Sequence, residues 1–194
     1  MLTLAIKSLA SNVATLLGEP LALECSPEES PFPNIEDRVR ILAPGLLKDL
    51  LSRTNWRKHR YLKSFSRNIS IDEAGVVSIP LPEDFLNLVE VKMSDWKIPV
   101  TQISESTPDL LLKMASPFSG IRGNPENPVA LISTDATGDA VLKLFSSSKG
   151  ATLEMALYVP MPAIGIDDTL SIPPCLLDEL LEMLAGKITV QQVL

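Results

Sequence analysis

A chain of 194 residues that is 45% hydrophobic but 5% aromatic can bury a sizeable core, and that core must be mainly aliphatic. Sixteen prolines against nine glycines, in a chain this rich in Leu, Ile and Val, exclude a low-complexity disordered polymer and predict sharply ended elements. The formal net charge is −7; Cys25 and Cys175 stand alone, without a CxxC pair or a histidine cluster, so neither a disulfide framework nor a zinc site has support and a reducing compartment is the simplest expectation.

Near the start, Leu2, Ile6, Leu9, Val13 and Leu16 recur at spacings of four and three, the seam of an amphipathic helix ending near Gly18. Lys7 within the apolar part and the lack of a basic leading region argue against a signal sequence, and the stretch is too short to span a membrane. Such a stripe must cover something, either its own domain or a neighbouring subunit. A strand-like Leu21-Ala22-Leu23 precedes SPEESPFP, Ser26 to Pro33, a proline-rich acidic linker that cannot hold a regular element. The predicted organisation is an N-terminal helical arm and linker over 1–33 and an α+β domain over 34–194.

Asn34 can cap a helix through Ile35 to Leu42, with Glu36 and Asp37 in the first turn where the helix dipole favours acids. Pro44-Gly45 interrupts the pattern and Leu46, Leu47, Leu50 and Leu51 carry it on toward Arg53, which predicts two helices or one bent helix. From Leu50 to Ile71 there is no acid, while Arg53, Arg57, Lys58, Arg60, Lys63 and Arg67 supply six positive charges; with −7 overall, the rest of the chain carries −13. Trp56, Tyr61 and Phe65 are interleaved with these bases. Three roles are open to such a stretch: phosphate contact with base stacking, docking on an acidic protein surface, or a solvated face. His59, the sole histidine, has no second histidine with which to hold a metal and no orienting acid beside it.

Gly75 to Ile79 reads as a short strand that Pro80 and Pro82 should end, because each lacks a backbone donor and fixes its own φ. Glu83 to Leu86 crosses in one turn to a strand over Leu88 to Met93, where polar and apolar residues alternate. Asp84 is available there to bond nearby backbone donors. Ser94-Asp95 turns the chain, and Trp96 to Gln102 returns as a strand with Ile98 and Val100 on one face. Pro80, Pro82, Phe85 and Trp96 are the expected anchors, Phe85 buried between sheet and helix.

Thr107 caps a short predicted helix with Pro108 at its first position. Ser116 to Pro128, SPFSGIRGNPENP, reads as an exposed loop; it has neither the GxGxxG nor the GxxxxGK[ST] spacing of a phosphate-cradling loop. Val129 to Ser133, Ala140 to Phe145 and Leu153 to Val159 are strand-like and joined by short turns, which predicts antiparallel meander pairing. The fold class is therefore α+β: an antiparallel β-sheet or small barrel flanked by N-terminal helices and a C-terminal helix. That last helix starts at Pro174, with Asp178 and Glu179 near the positive end of its dipole and Leu176, Leu177, Leu180, Leu181 and Leu184 on one face. Gly186 should weaken or end it, leaving Ile188, Val190, Val193 and Leu194 as an apolar tail that docks on a neighbouring subunit or another partner.

The run Ile79-Pro80-Leu81-Pro82-Glu83-Asp84-Phe85-Leu86, followed by a strand, the Asp95-Trp96 turn and Pro99-Val100, resembles the head-to-tail connector (adaptor or neck-ring) proteins of short-tailed bacteriophages, including the ring proteins of crAss-like phages. The resemblance continues through Asn127 to Leu131, Ala140 to Phe145, Ala151 to Pro160 and the helix after Pro173-Pro174, covering roughly residues 35 to 190. It implies a non-enzymatic virion subunit without a cofactor, forming a ring around the DNA channel below the portal. Its partners would be copies of itself, as a cyclic dodecamer, the portal protein, and further neck or tail rings. Location in the virion neck, and in host cytoplasm during assembly, follows from the same resemblance, with no membrane involved. Viral DNA would pass through without specific binding, and a net negative charge suits that role, because a wall that repels phosphates lets DNA slide.

Catalysis finds little support. The paired acids Glu28-Glu29, Glu83-Asp84 and Asp167-Asp168 are sequence neighbours, and neighbours in extended or loop backbone do not face one point as a general acid and base must. GxSxG, HExxH and a cysteine with an orienting pair are all missing from the sequence. The alternative class is a β-rich ligand-binding or adhesion module, which predicts a large apolar pocket in a monomer.

Overall fold

A computed structural model describes residues 1–18, 34–65, 69, 71–73, 75–101, 104–105, 116, 118, 123–135, 137–145 and 148–192. In chain order its elements are β1 (Leu2–Ala5), α1 (Ile6–Leu17), α2 (Ile35–Arg53), α3 (Trp56–His59), β2 (Lys63–Ser64), β3 (Val77–Pro80), β4 (Phe85–Met93), β5 (Ser104–Glu105), β6 (Val129–Thr134), β7 (Ala140–Phe145), β8 (Leu153–Pro160), β9 (Thr169–Ile172), a single 3-10 turn (Pro174–Leu176) and α4 (Leu177–Gln192). Helices and antiparallel sheets are both present, an α+β fold, with helices near both ends of the chain. The chain divides into two compact units, Met1–Tyr61 with Met161–Leu194, and Leu62–Pro160. The expected strand at Leu21 to Leu23, the linker at Ser26 to Pro33, the helix after Thr107 and most of the Ser116 to Pro128 loop lie outside the described residues.

In the first unit α1, α2 and α4 pack on one another. Leu2 belongs to β1 and not to the helix: β1 pairs antiparallel with β9, Leu2 opposite Ile172 and Ala5 opposite Thr169. The helix begins at Ile6 and ends at Gly18, whose φ of 69° is the left-handed cap that glycine takes without steric cost. Ile6, Leu9, Ala10, Val13 and Ala14 form its buried stripe; Leu16, expected in the seam, is 57% exposed because the two alanines complete the stripe instead. Asn34 caps α2 as expected, its Oδ1 accepting from the Glu36 N–H at 2.8 Å. Of the two expected forms, the single helix holds, and α2 runs through Pro44. Pro44 cannot donate to the Arg40 carbonyl, a loss of about 3 kcal/mol in a helix interior. Burial of Val39, Ala43, Leu46, Leu47, Leu50 and Leu51, at about 1.5–3 kcal/mol for each large aliphatic side chain, outweighs it.

α4 likewise continues past Gly186. Leu176, Leu180, Leu184 and Ile188 recur every four residues and are all buried, Ile188 completely. The interior glycine costs about 1 kcal/mol, less than the burial of Ile188 returns. One junction ties these elements together: Asp168, at φ 53°, accepts the Ile6 N–H on its carbonyl at 2.9 Å. Arg40 on α2 holds both its carboxylate oxygens, at 3.1 and 2.8 Å, and also reaches Asp37 and Glu36.

The second unit carries two sheets, ordered β2-β8-β4 and β3-β7-β6-β5. The single sheet or barrel expected from the sequence is split, because the turn at the end of β4 is bonded to the start of β8. Ser94 N–H donates to the Thr152 carbonyl at 2.9 Å and Thr152 N–H to Ser94 Oγ at 3.0 Å. Asp95 accepts from both the N–H and the hydroxyl of Ser148, at 2.7 and 2.9 Å. β8 therefore starts beside β4 and leaves the β6–β7 meander. Side chains of both sheets meet in one buried cluster that includes Val77, Ile79, Val91, Met93, Trp96, Leu142, Leu144 and Ala156.

β3 ends at the prolines as expected, and one local expectation is corrected here. β3 includes Pro80 as its last residue, opposite Val141. Leu81 N–H donates to the Ala140 carbonyl at 3.2 Å, so Pro80 falls at the position whose nitrogen points away from β7, and β3 is an edge strand. Among the described residues the returning strand from Trp96 is reduced to a single bridge, in which Val91 and Val100 exchange both backbone bonds. Val100 is buried there while Ile98 is 52% exposed, so the two do not share a buried face.

Candidate docking surface

The basic stretch runs out of the first unit into the second. In the first unit, Asn55 accepts the Arg57 N–H on its side chain at 2.9 Å and so opens α3. Arg60 closes it in the left-handed region, φ 50° and ψ 30°, with its N–H on the Trp56 carbonyl at 2.8 Å. Next to this cap His59 is buried; its Nδ1 accepts the Tyr61 N–H at 3.0 Å, which leaves the proton of the neutral ring on Nε2. Nε2 is buried and without a hydrogen-bond partner among the described residues. Burial holds His59 below its ordinary pKa, so the ring is uncharged at neutral pH. The knuckle is anchored on the 3-10 turn before α4, where the Cys175 thiol lies 3.6 Å from the Lys58 carbonyl.

Arg57, Lys58 and Arg60 are exposed on this knuckle. The Arg57 guanidinium sits 5.3 Å from the centre of the half-buried Trp56 ring. Among the described residues no carboxylate pairs with any of the three cations. Arg53, at the end of α2, turns back on its own helix, donating to the Asp49 carbonyl at 3.3 Å and lying 3.6 Å from the Met183 sulfur of α4.

In the second unit Lys63 is used differently. Its ammonium is bound by the Asp84 carboxylate, which also accepts the Tyr158 hydroxyl at 2.8 Å. Burial pushes the Asp84 carboxyl up, but the hydrogen bonds from Lys63 and Tyr158 together outweigh this and hold it below the usual carboxylate range. Arg67 lies outside the described residues. Phe85 begins β4, its N–H on the Pro82 carbonyl at 3.0 Å. It is half-buried and stacked on the Tyr158 ring at 5.9 Å, with Phe65 edge-on to the same ring at 5.6 Å. The expected burial of Phe85 between sheet and helix is thus replaced by an aromatic trio centred on Tyr158. Trp96 is buried; Pro80 ends β3, and Pro82 opens the turn that Phe85 closes.

Of the tail residues, Ile188 lies fully inside the chain's own core and offers no surface to a partner. Val190 falls within α4, and Val193 and Leu194 lie outside the described residues. On the opposite side of α4 from its buried leucines, Asp178, Glu179 and Glu182 are exposed and enter no ion pair among the described residues. Sequence reading assigned the first two to the helix dipole alone. The signal that marks all three as one feature is their spacing, which places them side by side once the buried positions 176, 180, 184 and 188 are known.

A shallow depression of about 370 Å³ in the second unit is lined by Ile98–Thr101 and Asn127–Val129. Among the described residues no group of three or more His, Cys, Asp or Glu side chains is placed to hold a metal, and no helix is long and apolar enough to cross a membrane. No family model matches this chain, and no curated protein matches it.

Proposed function

We propose that the chain is a structural, non-catalytic subunit of a phage head-to-tail connector, a ring below the portal through which viral DNA passes. The observation that carries the reading is the Ile79 to Leu86 run, which acts as a defined structural device. It supplies the end of edge strand β3, the Pro82-headed turn and the start of β4, and its Asp84 and Phe85 both engage Tyr158 on β8. The run that resembles connector proteins therefore joins the two sheets of the second unit. An acidic chain with an exposed basic knuckle that meets no carboxylate among the described residues also suits a subunit that repels DNA and docks on protein. On this reading the chain works in the virion neck after assembly in host cytoplasm, with copies of itself, the portal and adjoining rings as partners. Electron microscopy of the purified chain with the portal protein of the same virus tests it. A ring with cyclic symmetry, coaxial with the portal, is expected; a chain that stays monomeric and leaves the portal bare would refute the reading.

A further inference from the structure

The first unit carries two groups of charged side chains that meet no opposite charge among the described residues. Arg57, Lys58 and Arg60 surround α3; Asp178, Glu179 and Glu182 lie on the outer side of the first two turns of α4. The groups are equal in number and opposite in sign. Their positions are fixed by packing, since α3 rests on the 3-10 turn that leads directly into α4. No ion pair joins one group to the other within the chain.

We propose that the two groups are the two halves of a contact between copies of this chain, the α3 knuckle of one copy set against the α4 acids of another. The inference rests on the ring reading and deepens it by naming the side chains of the subunit contact. A single exposed ion pair contributes little, but three cations facing three carboxylates fix orientation and exclude wrong pairings, because like charges would otherwise meet. Nucleic acid is the poorer partner: phosphates drawn to Arg57, Lys58 and Arg60 would approach a chain whose net charge is −7. A second copy satisfies both groups at once, and the rest of an acidic chain adds only the self-repulsion that salt screens.

The test is a charge exchange followed by sedimentation velocity at moderate ionic strength, where salt screens the overall repulsion between chains. One variant carries Arg57→Glu, Lys58→Glu and Arg60→Glu; a second carries Asp178→Lys, Glu179→Lys and Glu182→Lys; a third carries all six substitutions. The unmodified chain should associate, the first two variants should each be monomeric alone, and an equimolar mixture of them should associate again, as should the six-substituted chain. If the lysine variant fails to fold, Asp178→Asn with Glu179→Gln and Glu182→Gln replaces it and should lose association while keeping its circular dichroism. An unmodified chain that remains monomeric overturns the proposal, as does a mixture that fails to restore association. Association that survives every reversal removes this contact while leaving the ring reading to the portal experiment above.

Discussion

Cations only a few residues apart in the basic stretch have opposite fates in the two units. In the second unit β2 lies against β8 with Lys63 opposite Tyr158, and this register brings the ammonium to Asp84, the acid that the Tyr158 hydroxyl also holds. In the first unit α3 is bounded by Asn55 and Arg60 and rests on a turn made of Pro174, Cys175 and Leu176, which has no acid to offer. Among the described residues Arg57, Lys58 and Arg60 meet no carboxylate, and all three are exposed. Charge counted along a sequence is therefore not charge available to a partner. What the fold adds beside each cation decides whether it serves the interior of its own unit or something outside.

The largest expected effect separates the cores of the two units. Ile188→Ala should cost about 2–5 kcal/mol, because a fully buried aliphatic side chain is removed from the α1–α2–α4 packing. Deletion of 187–194 should destabilise at least as much. Urea unfolding followed by circular dichroism checks both, and an unchanged midpoint would return the tail to the surface. Phe85→Ala in the second unit should cost less, about 2 kcal/mol, since the ring is half-buried and a completely buried phenylalanine gives about 3–5. Lys63→Ala should cost under about 1 kcal/mol, as the pair it makes is largely exposed.

Acid should act in two ranges, the first set by His59 and the second by lowered carboxylates, Asp84 among them. His59 has a folded pKa below its ordinary 6.5, so the unfolded chain binds a proton that the folded chain refuses. Its contribution is fully present above 6.5 and is lost as pH falls from there toward the lowered folded value. Asp84, held below its ordinary 3.8, contributes stability above that value and loses it as pH falls through the folded pKa. Stability measured against pH should therefore fall first through His59 and later through the lowered carboxylates, Asp168 in the first unit and Asp84 in the second. His59→Asn keeps an acceptor for the Tyr61 N–H while removing the titration; it should abolish the first fall and leave the second. A first fall of equal size in that variant would place its origin elsewhere.

The smallest effect is a gain. An added Cβ at Gly186 meets nothing within 4 Å, and the position is exposed on a continuous helix. Gly186→Ala should raise stability by about 0.5–1 kcal/mol, read from the same urea midpoints. A loss would mean that the helix needs the glycine there.

Most of the strand segments were legible because alternation and turn residues are local signals: β4, β6, β7 and β8 lie close to where period and proline predict them. The Asn34 cap and the Pro174 helix start were legible for the same reason. What local signals could not supply was partnership. Nothing near Leu2 announces that β9, far along the chain, will pair with it, and nothing near Leu153 says that β8 will join β4 through Ser94 and Asp95. Gly186 misled, and Pro44 left two helices open beside one, because intrinsic helix cost was visible in the sequence, whereas the compensating burial of Ile188 and of the α2 leucines depended on distant helices. The candidate docking surface was half legible. All its cations were in view, but Lys63 could be set apart from Arg57, Lys58 and Arg60 only once Asp84 and Tyr158 stood beside it, and the acids of α4 became one surface only once its buried side was known.

The contrast between the two halves of the basic stretch is tested most directly by comparing Arg57→Glu, Lys58→Glu, Arg60→Glu with Lys63→Glu in one sedimentation experiment, each chain alone and with the portal, alongside urea midpoints. The account predicts that the triple variant keeps its stability and loses association, while Lys63→Glu associates normally and is the less stable of the two, because it sets a second carboxylate against Asp84. Loss of association in Lys63→Glu, with the triple variant assembling like the unmodified chain, would contradict it.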